Sequence, residues 1–188
     1  MPLMVVVCIL ALTLPTRTQQ SRTDSASATG CSPSVLPENV RTVLSTEFQG
    51  WHIQAEDSLD ADGHAAWRYE KYFRPGQCPG IALGRFESPH TSVAVLLVDG
   101  AGQSYQLLEF TDQSSPRRHL LEQSAKAVLG AVFIRTARIA DFFDARSMRQ
   151  FQPVAADGIV IVEGSRRQFG ASIFFWTRKG FKQEPIEY

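Results

Sequence analysis

Apolar residues run without interruption from Val93 to Val98, with turn formers on either side, and the stretch is rich in valine. An apolar run of this length, β-branched and bounded by turns, predicts a buried central strand. Residues 80–86 before it and 104–111 after it are further apolar runs. The second connection is Asp99-Gly100-Ala101-Gly102, whose glycines permit the positive φ angles of a tight reversal. Three consecutive antiparallel strands are expected. The pattern recurs near the end of the chain, where Val162-Glu163-Gly164 followed by Phe169 matches Val98-Asp99-Gly100 followed by Tyr105. It reads either as an internal repeat or as the form common to many hairpins.

The remaining periodicities place the other elements around this sheet. Residues 36–48 set Val40, Val43, Leu44 and Phe48 on one helical face, with Pro37 and Glu38 at the start and Gly50 at the stop. Trp51 and Ile53 alternate with polar neighbours as a short strand does, and residues 67–73 are read as another strand. Residues 116–126 predict an amphipathic helix with Leu120, Leu121 and Ala125 inward, capped by Ser114 or Ser115. Residues 131–139 read as a strand, and Phe142, Phe143, Met148 and Phe151 as a hydrophobic loop over a sheet face. If that loop is exposed, Phe142, Phe143 and Phe151 form a partner surface. Residues 168–176 and 181–186 form a last hairpin, with Pro185 suited to an edge. The fold class expected is α+β, an N-terminal helix packed on a mainly antiparallel β-sheet built of hairpins.

The start of the chain has a different character. Residues 3–14 are almost entirely apolar, too short to span a bilayer and of the length found in secretory signals. No lysine or arginine precedes the run, and Ala26-Ser27-Ala28 lies well beyond it. Cleavage is therefore expected within the polar stretch that follows, and an uncleaved anchor is the alternative. Residues 16–34 are rich in serine, threonine and glutamine and cannot bury enough surface to offset their ordering entropy. The organisation expected is a signal peptide and polar leader over 1–28, a flexible tether over 29–34 and a single α+β domain over 35–188, in a secreted or periplasmic protein. No membrane span is expected in the mature chain.

Composition narrows the partners. The 188 residues carry 19 basic and 19 acidic side chains, a formal net charge of zero. Without a clustered basic stripe there is no field for nucleic acid, and Arg117-Arg118 and Arg166-Arg167 are only pairs. If Cys8 leaves with the signal, Cys31 and Cys78 remain as a possible disulfide in an oxidising compartment. The alternative is two free thiols.

Candidate chemistry is sparse. Residues 57–64, DSLDADGH, approach a calcium loop, but Gly63 comes early, His64 replaces an oxygen ligand and Lys71 stands where the bidentate glutamate belongs. The four histidines have no metal-site spacing, and there is no nucleophile elbow, phosphate loop or dinucleotide fingerprint. No catalytic, cofactor-binding or metal residue is assigned from sequence, and no cofactor is expected.

The segment IALGRFESPHTSVAVLLV resembles the FG-GAP or VCBS motif, with Gly84, Phe86, Ala94, Val95 and Leu96 at matching places. In that family a strand enters Gly-x-Phe, then an acidic calcium-binding turn, then a strand of the Ala-Val-Leu type. Here the turn is Glu87-Ser88-Pro89-His90-Thr91-Ser92, one residue short and with a single carboxylate, so the family's calcium is not implied. More broadly, residues 36–181 resemble small exported bacterial proteins that share this hairpin, a likeness that implies no activity.

Two functions follow as expectations. One is an exported non-catalytic module that contacts an envelope protein or a glycan, with Trp67, Tyr69, Tyr72, Tyr105 and Phe142 as exposed aromatics. The other is a small hydrolase or lyase using Glu70, Glu87 and Glu109.

Overall fold

The computed structural model describes residues 32–87, 89–111, 117–124, 131–165 and 168–187. The expected signal, leader and Cys31 lie outside these residues, as do Ser88, the capping serines Ser114 and Ser115, and Arg166-Arg167.

The chain is α+β, with two antiparallel sheets. β3 (Ser92–Asp99) is the hub of the first. It pairs with β1 (Trp51–Ile53) and β2 (Ile81–Gly84) on one side and with β4 (Tyr105–Phe110) on the other, and β4 pairs in turn with β5 (Arg118–Ser124). The second sheet runs in sequence order through β6 (Phe133–Arg138), β7 (Asp157–Ser165), β8 (Gln168–Thr177) and β9 (Gly180–Ile186). The strands β2 to β5 and β6 to β9 are thus two four-stranded meanders of one plan, each with one of the similar hairpins at its centre.

The unbroken apolar run of β3 is explained by burial on both faces. Ala94, Leu96 and Val98 point into the seam between the sheets, with Tyr105 and Leu107 beside them and Ile134, Ile159, Ile161 and Phe174 opposite. Val93, Val95 and Leu97 point the other way, to Val40, Val43, Leu44 and Phe48 of and after α1 (Glu38–Glu47). The outer face of the second sheet is covered by α2 (Ala61–Phe73) and α3 (Ala145–Phe151), with Trp67, Phe143, Met148 and Phe151 against Phe133, Ile173 and Phe175. The result is four layers, helix, sheet, sheet, helix.

The single sheet expected is two sheets, because the apolar faces of two meanders cover each other. The expected hydrophobic loop contains α3 over Ala145–Phe151, whose start Asp144 caps. Two further elements are corrected. Residues 67–73, expected as a strand, belong to α2, where Asp60 caps the first turn by accepting from Gly63 N at 2.7 Å. Buried Gly63, Trp67 and Glu70 recur at i, i+4 and i+7, a helical stripe hidden by the many aromatic residues between them. The acidic turn once compared with a calcium loop is this helix start. Residues 116–126, expected as a helix, contain β5 over Arg118–Ser124, while residues 116, 125 and 126 lie outside the described residues. Leu, Glu and Gln are good helix formers, but propensity is small per residue, and pairing with the open edge of β4 outweighs it.

The sheets are tied together at one edge. Ile134 N donates to Pro79 O at 2.8 Å, Thr136 Oγ1 donates to Leu83 O at 2.8 Å, and the buried Gln54 Nε2 donates to Val132 O at 2.9 Å. Gly80 is what lets these segments approach. A Cβ there would stand 2.3 Å from Gln54 O and 2.8 Å from Gln54 N, both backbone atoms. Gly80→Ala is expected to cost roughly 2–3 kcal/mol, as overpacking of a tight contact does. A urea midpoint equal to that of the parent would disprove this close approach.

Candidate metal centre

Alternation along β4 sends Tyr105, Leu107 and then Glu109 to the seam. The first two extend the apolar core, but the third puts a carboxylate there, and Glu109 is 0 % exposed. Its cross-strand partner on β5 is His119, so the two side chains share a face. Glu87, in the connection between β2 and β3, completes a group whose donor atoms all lie within 4.8 Å of one another. His119 Nε2 is 3.4 Å from Glu87 Oε2.

His119 and Glu87 stand at ion-pair distance, yet the polar atoms of this group make no hydrogen bond to each other. Both oxygens of Glu109, Glu87 Oε2 and His119 Nε2 are buried atoms without a hydrogen-bond partner among the described residues. Burial pushes the Glu109 carboxyl up to about 8, and the neighbouring Glu87 charge adds to the effect. Ser92 beside it acts in the opposite direction, but its hydroxyl is directed to Gly84 O at 3.3 Å. Among the described residues no lysine or arginine joins the three.

The imidazole also packs against aromatic rings of the second sheet. His119 lies 5.4 Å from the Trp176 ring and 5.5 Å from the Phe181 ring, which themselves pack edge to face at 4.9 Å. Trp176 and Phe181 are opposite each other on β8 and β9, so the second sheet packs against the imidazole carried by the first. The side chains of Glu87 and His119 are 17 % and 32 % exposed, so their side of the cluster is the one nearest to solvent, while their donor atoms are buried.

A second polar group lies farther along the same face. The register of β5 slips at Leu107/Leu108, and this slip places Glu122 opposite Leu107. Tyr105 Oη donates to Glu163 Oε1 of β7 at 2.5 Å, joining the aromatic of one hairpin unit to the acid of the other. Burial raises the Glu122 carboxyl above its ordinary range, with the Glu163 charge adding.

The residues singled out from sequence are distributed as follows. Glu87 and Glu109 come together, but Glu70 does not join them, since it pairs with Arg135 at 3.1 Å. Trp67 and Tyr105, expected as exposed aromatics, are corrected: both are 0 % exposed because each fills one of the apolar layers. Tyr69 and Tyr72 are exposed. Phe142, Phe143 and Phe151 are half-buried and pack on the outer cluster of the second sheet, Phe143 and Phe151 lying 5.1 and 5.8 Å from Phe175. Cys78 is buried at the first sheet, and its expected partner Cys31 is outside the described residues. His119 was missed, because a helix over 116–126 cannot pair with β4. The signal that could have found it was an acid at a seam position of an apolar strand.

No protein family, curated protein or solved structure matches the chain. Among the described residues no helix is long and apolar enough to cross a membrane.

Proposed function

We propose that this chain is an exported module whose working part is a cation-binding centre formed by Glu87, Glu109 and His119. One observation carries the reading: Glu109 is wholly buried with neither oxygen hydrogen-bonded among the described residues. A carboxylate in that position costs several kcal/mol unless a positive partner compensates it. Two carboxylates and an imidazole nitrogen are donors that suit a divalent ion. The apolar run over residues 3–14 supports export, tested by recovering a chain that begins after Leu14 from outside the cytoplasm.

The test is a thermal melt of the chelator-treated protein with single divalent cations added. A rise in Tm is expected for the parent protein and its loss for Glu109→Gln. No rise with any cation, or a rise unaffected by Glu109→Gln, would reject the reading.

The exposed ring cluster on α2 favours a second reading, contact with a protein or glycan. Tyr69, Tyr72 and Phe73 are 65 %, 82 % and 60 % exposed, and Phe73 packs edge to face against both tyrosines at 5.1 Å. Capture of envelope proteins or glycans that survives Tyr72→Ala/Phe73→Ala would eliminate this surface.

A further inference from the structure

We infer that the ion held by Glu87, Glu109 and His119 is a zinc-class transition metal bound by three protein donors, with an exchangeable position facing solvent. The inference rests on the cation-binding reading above and adds the metal class and the open position.

The donor types decide the class. Calcium and magnesium sites are built from oxygen, and calcium takes six to eight of them, whereas this group offers one nitrogen and the carboxylates of two side chains. Spacing agrees. Two donors about 2.0–2.1 Å from a tetrahedral zinc ion stand about 3.3–3.4 Å apart, and His119 Nε2 and Glu87 Oε2 are 3.4 Å apart. Calcium, at about 2.3–2.6 Å from its ligands, could span that distance too, so the nitrogen and the small donor number exclude it. Charge agrees as well. A divalent ion with two carboxylates and a neutral imidazole is electrically neutral, which suits a site whose inner member is wholly buried.

The open position follows from where the donors sit. Glu109 is the wholly buried member, Trp176 and Phe181 pack against the imidazole, and Glu87 and His119 are the partly exposed members, so the side nearest to solvent lies with them. Three protein ligands leave a tetrahedral ion one place, which water would fill from the side nearest to solvent. This is the arrangement of reactive zinc sites rather than closed structural ones, and a small anion can displace the water.

The experiment uses the full mature chain stripped with chelator. Equilibrium dialysis against Zn²⁺, Co²⁺, Ca²⁺ and Mg²⁺ is expected to give one tightly held Zn²⁺ or Co²⁺ and at least roughly a hundredfold weaker Ca²⁺ and Mg²⁺. Glu109→Gln and His119→Gln are each expected to weaken Zn²⁺ at least roughly a hundredfold, beyond the loss seen for outer-layer partners. Circular dichroism of each variant separates lost binding from lost folding, and Glu109→Gln retains its fold on the argument given below. The Co²⁺ form should show the intense visible bands of four-coordination, and these should shift on adding azide.

Ca²⁺ or Mg²⁺ held at this group in preference to Zn²⁺ would overturn the metal class while leaving the cation-binding reading intact. Zn²⁺ bound with Co²⁺ bands that azide does not move would overturn the open position. No bound ion of any kind, or Zn²⁺ unaffected by both variants, would overturn this inference and the cation-binding reading together.

Discussion

Glu109→Gln is expected to stabilise the metal-free protein at pH 7, by roughly 3 kcal/mol, although it removes a ligand. In the folded chain burial pushes the Glu109 carboxyl up to about 8, from an ordinary value of 4.5. Between those two values the unfolded chain has released this proton and the folded chain still holds it. The folded state therefore binds more protons, and stability falls as pH rises through the window. Below 4.5 the side chain is protonated in both states and the contribution vanishes. Glutamine has the same shape and no charge to desolvate, so the variant loses this pH dependence, and its amide can donate to Glu87. Urea unfolding with chelator at pH 4.5, 6, 7 and 8 measures the difference. Parent and variant curves that stay parallel across the range would show that Glu109 is not buried in ionisable form. With the ion restored the order should reverse, since only the parent gains its binding energy.

Loss of one partner from the buried ion pair between α2 and the second sheet has an effect of similar size and opposite sign. Arg135 and Glu70 meet at 3.1 Å with side chains only 9 % exposed, and the guanidinium also lies 5.5 Å from the Phe142 ring. Glu70→Ala removes the arginine's carboxylate partner from the apolar layer, at an expected cost of about 3–5 kcal/mol. The double variant Glu70→Leu/Arg135→Met removes both charges and keeps most of the volume. It should recover most of that loss, because the pair itself contributes little beyond mutual compensation. A Glu70→Ala midpoint within experimental error of the parent would mean that the arginine is already solvated. A double variant no better than the single would mean that packing, not charge, carries the cost.

These two carboxylates show what was legible in the chain and what was not. Glu109 stands in a run of large apolar residues, so its burial could be read from alternation along β4. Glu70 also stands among aromatic residues, and taking those for a strand concealed that it faces the sheet from a helix. The same kind of error hid His119. Residues of ordinary helix preference were free to pair with an open sheet edge, and only that pairing brings the imidazole opposite Glu109. Glu87, the acid in the shortened turn of the motif-like hairpin, was visible as a residue, while its neighbours were not.

The sequence by itself determined the local and periodic features. These are the antiparallel hairpins, the doubly buried β3, the α+β class and the shortage of charge for nucleic acid, because strand alternation, turn chemistry and net charge are properties of short stretches or of the whole composition. The tertiary structure alone decided the stacking of the two meanders and the identity of the cluster between them. Glu87, Glu109 and His119 come from a loop and two strands, and Trp176 and Phe181 from the other sheet. Their convergence depends on strand register and on sheet-to-sheet contact, which arise between segments distant in the chain and leave no local pattern.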